Sequence, residues 1–323
     1  MIKHATMKAE TLIYGSHVTA GIGHITSAIV LLALGAADGW GWRPDVFSSY
    51  ERWNEVNGTN EQFMEAKSVR VNLVVFCFLF AFWSGLLHFV SIYPPVWKAE
   101  LARYLKGGSL VRALDYGLSS SLMIVVLAIF SGVREISTLI VVFVAQALVI
   151  LCGYLSELDS GLLKGWTGFN LGCVVYIANV WLPVILAFAL SVDASPDTPE
   201  FVPAIFTALF VVFSSFAVVA FLRLWYKPEE GSISQFKYEL AYIILSLVAK
   251  TLLHWTLYSS VLGRPESGTP RDNEANWTYA TIGIVFTCGL IASGIIVVLW
   301  KRVVQDQTAA LSALKPIYYN PLS

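Results

Sequence analysis

The sequence predicts an all-α integral membrane protein, a seven-helix transmembrane bundle followed by an eighth transmembrane helix. The chain of 323 residues is 56% hydrophobic and only 13% charged, with a mean hydropathy of +0.66, outside the range of soluble globular domains. Apolar runs recur at the length needed to cross about 30 Å of hydrocarbon at a helical rise of about 1.5 Å per residue. A net charge of −1 supplies no basic footprint for nucleic acid. The expected partners are therefore membrane lipids and whatever the bundle holds.

In chain order the spans run Leu12–Ala36, Val71–Tyr93, Ser109–Phe130, Ile136–Leu155, Phe169–Ser191, Val202–Trp225, Tyr238–Leu262 and Trp277–Val303. The opening MIKHATMKAE carries no convincing cleavage site, so the first run is expected to remain as a membrane helix. Residues 12–262 form the expected seven-helix domain, 277–303 the extra helix and 304–323 a short cytoplasmic tail. Asp38–Arg70 is long and polar with several aromatics (Trp40, Trp42, Phe47, Tyr50, Trp53) and is expected as an outer loop, a candidate cap or homodimer contact. Gly263–Asn276 reads as a second outer loop. Most Lys and Arg of the connecting segments, among them Lys3, Lys8, Lys98, Arg103, Lys301 and Arg302, then lie inside, which puts both termini in the cytoplasm. Two sequons, at Asn57 and Asn276, fall outside in that topology. The four cysteines (Cys77, Cys152, Cys173, Cys288) sit in apolar runs with no CxxC and read as packing residues.

Polar residues that interrupt these apolar runs carry the functional signal. Lys250 stands in LAYIILSLVAKTLLHW, where an ammonium costs about 2.5–3.5 kcal/mol on insertion scales. Lysine is also the side chain that condenses with an aldehyde to form a Schiff base. Ser246 lies one turn earlier on the same face. The third span, SLVRALDYGLSSSLMIVVLAIF, sets Arg112 and Asp115 three residues apart, with Ser119 and Ser120 beyond. Asp115 needs a cation, and Arg112 and Lys250 are the two candidates. Asp115 lies about 9 Å past Ser109, and Lys250 about 18 Å past Tyr238, on helices running the same way. Side chains lean toward their own N-terminus, so the pairing with Lys250 is geometrically allowed. His24 interrupts the first helix and His88 the second, with Ser84 one turn from His88. Imidazoles titrate near neutrality and can hold or release a proton. No third ligand at metal spacing accompanies them, so no metal is expected. His17 and His254 read as structural. Trp181, Phe206, Phe210, Phe213, Phe216 and Trp255 are candidate walls for a flat apolar ligand.

Four stretches together resemble the heliorhodopsins, a retinal-binding seven-helix family with a cytoplasmic N-terminus. They are LSLVAK in the seventh span, R-x-x-D-Y-x-x-S-S-S-x-M in the third, FVPAIFTALFVVFSSFA in the sixth, and the two histidines; the resemblance covers about Leu12–Leu262. It implies a photoreceptor that carries all-trans retinal as a protonated Schiff base on Lys250 with Asp115 as counterion. Ser246 and Ser120 would hydrogen-bond nearby, and Tyr116, Met123, Trp181, Phe206 and Trp255 would border the chromophore. Ser84, His24, His88 and Arg112 would belong to a polar cavity that stores or relays the proton. The family usually has glutamate at the place of Asp115, and an eighth helix is atypical of it. Light-gated or light-driven proton or ion transport is the alternative function, and a cytoplasmic signalling partner is the expectation for a pure sensor. No nucleophile or metal constellation suggests an enzyme.

Overall fold

The computed structural model describes residues 2–37, 43–56, 59–158, 161–194, 201–229 and 232–258. The expected eighth helix, the tail and the loop at Gly263–Asn276 lie outside the described residues. The fold is a bundle of α-helices. Helix α1 runs Ile2–Ala37, α2 Leu73–Ile92, α3 Pro94–Lys106, α4 Leu110–Phe130 and α5 Ile136–Ser156. A split span follows, α6 Trp166–Val175, a π-helical turn Tyr176–Trp181 and α7 Leu182–Asp193; α8 Phe201–Tyr226 and α9 Ile233–Leu257 complete the bundle. Among the described residues six spans are long and apolar enough to cross a membrane. The protein is an integral, multi-pass membrane protein. Helix α9 packs between α1 and α8, and the spans close a ring through α1–α2, α2–α4, α4–α5, α5–α6 and α6–α8 contacts. Apolar side chains such as Ile140, Val141, Val174 and Ile177 face outward, as a lipid-contacting surface requires.

Local chemistry explains the boundaries. Asn72 caps α2, its side-chain oxygen accepting from the backbone N–H groups of Val74 (3.0 Å) and Val75 (3.3 Å), which satisfies two otherwise orphaned donors. Ser109 does the same for α4 through Arg112 N at 3.1 Å. Helix α3 opens on Pro94 and closes on Gly107 at φ 89°, where only glycine is unstrained. Pro183 has no N–H to donate back into the preceding turn, and its ring clashes with the carbonyl four residues earlier. The π-helical turn ends two residues before it, a common way to absorb such an interruption.

The segment expected as a loop is a β-hairpin. Strands β1 (Asp45–Val56) and β2 (Thr59–Arg70) pair antiparallel from Asp45↔Arg70 to Val56↔Thr59. They flank Asn57-Gly58, the dipeptide most characteristic of a two-residue hairpin connection. The hairpin is tied to the start of α5: Phe47 N donates to Arg134 O at 2.9 Å, and Ser49 Oγ donates to Glu135 Oε2 at 3.1 Å.

Among the described residues two hydrophobic cores fill the bundle. The larger joins α2, α4, α5, the split span, α8 and α9 around Phe80, Leu127, Trp181 and Leu253. A smaller one, at the α3 end, holds Ile13, Tyr104, Phe236, Leu240 and Ile243. Helices α1 and α2 approach closely at Gly85, where an added Cβ would lie 2.7 Å from Ile25 Cγ1 and 3.1 Å from Gly21 O. Gly85→Val is therefore expected to wedge the helices apart and cost about 1–3 kcal/mol. The thermal unfolding midpoint in detergent checks this against Gly117→Ala, whose new methyl meets nothing within 4 Å.

Candidate functional site

Lys250 is buried at 3% exposure on α9, and its Nζ lies 3.4 Å from Asp115 Oδ2 on α4, itself buried at 3%. Of the two cations open to Asp115 in the sequence, the structure selects Lys250. Lys250 Nζ donates to Ser246 Oγ at 2.7 Å, the expected one-turn neighbour. Ser84 Oγ donates to Asp115 Oδ1 from α2. The ring of Tyr116 lies under the ammonium, 5.0 Å from centroid to Nζ, a cation–π distance. Three helices thus converge on one ion pair.

Lys250 forms part of the wall of a mostly apolar cavity lined from α4, α5, α6, α8 and α9. Tyr116, Ser120, Met123 and Ser246 line it as well, all four expected at the site. Ser120 Oγ accepts from Gln146 Nε2 at 3.0 Å. Buried Ser119 Oγ and Gln146 Oε1 have no partner among the described residues. Trp181, Phe206 and Trp255 do not line this cavity. Trp181 is enclosed edge-on by Phe206, Phe210 and Phe213 at 4.8–5.9 Å, and it meets the cavity wall through Phe213 and Tyr176. The wider π-helical turn ahead of it changes its angular position from that of an unbroken α-helix. Trp255 packs on Tyr258 near the end of α9.

Asp115 faces a second, smaller space, lined also by His17, His88, Ser91, Arg112, Tyr116 and Glu239. The Lys250–Asp115 pair thus stands on the partition between two cavities, with Arg112 and Tyr116 contributing to both. His24 stacks on His88, ring centroids 5.5 Å apart and 13° from parallel. His17, read as structural from sequence, joins them: its Nδ1 is 2.9 Å from His88 Nδ1 and its Nε2 is 3.1 Å from Tyr104 Oη. A spacing of seven residues, His17 to His24, sets both on one face of α1 and was the available signal. His254 does pack structurally, against Cys77 O at 2.6 Å and the Phe80 ring.

Arg112 does not pair with Asp115. Its guanidinium donates to Glu239 through Nη1 and to Glu157 through Nη2, and Arg223 reaches Glu157 Oε1 at 3.0 Å. Glu157 and Glu239 belong to this buried network at the far end of the large cavity. Arg112 also lies over the Tyr242 ring at 4.1 Å. Among the described residues no cluster of His, Cys, Asp and Glu could hold a metal.

The fold and this site define a membrane bundle built around a buried lysine–carboxylate pair. The model of the heliorhodopsin family matches residues 15–262, and the chain belongs to that family. No curated protein matches it. Among solved structures, a light-driven proton pump from Leptosphaeria maculans is similar at 12% identity, covering 78% of this chain and 95% of that chain, with a TM-score of 0.42. The family implies a retinal chromophore, and the residues present fit one. An amine with a carboxylate beside it opens on an apolar cavity whose wall includes Ser119 and Gln146, each with a buried oxygen that has no partner among the described residues.

Removing Arg112 would leave Glu157 and Glu239 buried without that cation. Arg112→Ala is expected to destabilise the bundle by roughly 3–5 kcal/mol, the usual cost of orphaning a buried charge. A thermal or denaturant unfolding curve of the detergent-solubilised protein checks this.

Proposed function

We propose that the protein is a non-enzymatic photoreceptor holding all-trans retinal as a protonated Schiff base on Lys250, with Asp115 as counterion. The observation that carries this reading is the 3.4 Å approach of Lys250 Nζ to Asp115 at the wall of a large apolar cavity. When bound, retinal supplies a polyene that absorbs visible light and changes shape on isomerisation.

The chain's own residues do the rest. Asp115 stabilises positive charge at Lys250 Nζ, and an opposite charge at this range favours the protonated form. Ser84 fixes one carboxylate oxygen and leaves the other toward Nζ. Ser246 accepts from the free Lys250 amine and so holds Nζ in place beside Asp115. Tyr116 and Met123 form part of the wall that excludes water, while Ser120 and Gln146 add polar atoms to it. When the Nζ–H bond turns away from Asp115, the proton loses its stabilising partner and passes to the polar group on the Asp115 side, where His88 and His24 lie. The change in charge and helix packing there is the signal, read in the cytoplasm by a partner protein. The distribution of Lys and Arg supports cytoplasmic termini.

Lys250→Ala is expected to abolish the visible band of the retinal-fed protein; a retinal-dependent band persisting in that variant contradicts the assignment. Asp115→Asn removes the negative charge that holds the proton on Nζ. Its band is expected to move to the red and to bleach at lower pH than wild type, because the cation is less favoured at every pH. A spectroscopic titration with an unchanged midpoint argues for another counterion.

Light-dependent proton flow is the second reading, favoured by the histidines and serines that continue from Asp115 toward α3. A voltage-clamped photocurrent in retinal-fed cells, absent from Lys250→Ala, supports it. A visible pigment that passes no current supports the sensor.

A further inference from the structure

His17 is the polar residue best placed to extend the site. It is buried at 4% exposure on α1, and both of its ring nitrogens have protein partners, His88 on α2 and Tyr104 on α3. Tyr104 is 1% exposed and its hydroxyl neighbours Ser109. Ser109 Oγ donates to Glu100 Oε2 at 2.7 Å, and Arg103 Nη1 donates to Glu100 Oε1 at 2.6 Å. The Arg103 side chain is 41% exposed. A file of polar groups therefore runs from the Asp115 cavity, through two imidazoles hydrogen-bonded in turn to Tyr104, past the neighbouring Ser109, to Glu100, a fully buried carboxylate whose partner Arg103 is part-exposed.

We propose that His17 is the relay that carries a proton released at Lys250 Nζ away from Asp115, from His88 to Tyr104 and on toward Glu100. The inference rests on the assignment of Lys250 Nζ as the place of release. The Nδ1–Nδ1 approach requires one ring to donate and the other to accept. With His88 donating to His17, and His17 donating from Nε2 to Tyr104, His88 Nε2 is a bare acceptor; that atom has no partner among the described residues. His88 and Asp115 line the same small space, whose polar walls suit a bridging water. A proton arriving at His88 Nε2 forms an N–H bond there, and the His88 Nδ1–H bond breaks as His17 Nδ1–H forms. The His17 Nε2 proton passes to Tyr104 Oη, the Tyr104 proton to Ser109 Oγ, and the Ser109 proton to Glu100 Oε2. The rings and hydroxyls end neutral, with one proton gained at Glu100.

The charged and titratable groups around His17 fit this direction. Asp115, Arg112 and Glu239 share its cavity, His24 stacks on its partner His88, and Trp97 packs edge-on against its ring. A purely structural histidine would need only its two hydrogen bonds, which asparagine can partly replace. A relay needs two nitrogens that exchange a proton, which asparagine cannot supply.

Two measurements test this. In protein prepared without retinal, nitrogen-15 solid-state NMR of labelled histidine is expected to show a through-bond coupling between two Nδ1 atoms, lost in His17→Asn and in His88→Asn. In the pigment, light-minus-dark infrared spectra of labelled histidine are expected to lose at least half of the imidazolium signal in His17→Asn. Loss of the Nζ proton should slow at least threefold in the same variant. Tyr104→Phe keeps the coupling but removes the onward acceptor, so its imidazolium signal should last at least threefold longer. No coupling in wild type overturns the proposal, as does a photocycle that is the same in wild type, His17→Asn and Tyr104→Phe. A wild-type protein that shows the coupling but forms no visible band with retinal overturns the Schiff-base reading, and the relay with it.

Discussion

An ammonium and a carboxylate 3.4 Å apart inside a membrane bundle set the terms for the rest of the structure. Burying either ion alone costs several kcal/mol, and their mutual attraction repays this only if the remaining hydrogen-bonding capacity is met. Ser246 meets part of it for Lys250, and Ser84 part of it for Asp115. Those partners come from α2, α4 and α9, so the pair holds three helices in one register. The close approach of α1 and α2 at Gly85, one residue from Ser84, belongs to the same constraint. It fixes the depth of the serine against the bundle.

The pair also divides the interior. Lys250 opens on the large apolar cavity, while Asp115 opens on the small, more polar one. A cation that belongs to one compartment and an anion that belongs to the other make a natural point for moving a proton between them. Arg112 and Tyr116 line both spaces, and Arg112 is itself anchored by Glu157 and Glu239. That second ionic network, buried at the α3 end, keeps the arginine away from Asp115 and leaves the carboxylate to the lysine.

Much of this was legible in the sequence, because an ion or imidazole inside an apolar run announces itself by its cost. Lys250 and Asp115 lie together as their depths allow, with Ser246 one turn from Lys250; Ser84, read from its spacing only as a neighbour of His88, reaches Asp115 itself. What stayed hidden depends on contacts between elements. Arg112 stands three residues from Asp115, yet the acids that hold it come from α5 and α9, distant in sequence. His17 needed Tyr104, on a helix with no membrane span of its own, before its role as a link was visible. The hairpin was missed because a polar loop and an exposed two-stranded ribbon share a composition; the Asn-Gly pair was the readable clue. Trp181 and Phe206 are aromatic and central, but the π-helical turn and their mutual packing set them behind Phe213, off the cavity wall.

The most direct test of the central claim is covalent. Borohydride reduction of the retinal-fed protein fixes any Schiff base to its lysine, and peptide mass mapping then finds it. The account predicts a retinyl adduct confined to the peptide containing Lys250. An adduct on another lysine, such as Lys237 nearer the start of the same helix, or no adduct in a protein that still shows a visible band, would contradict it.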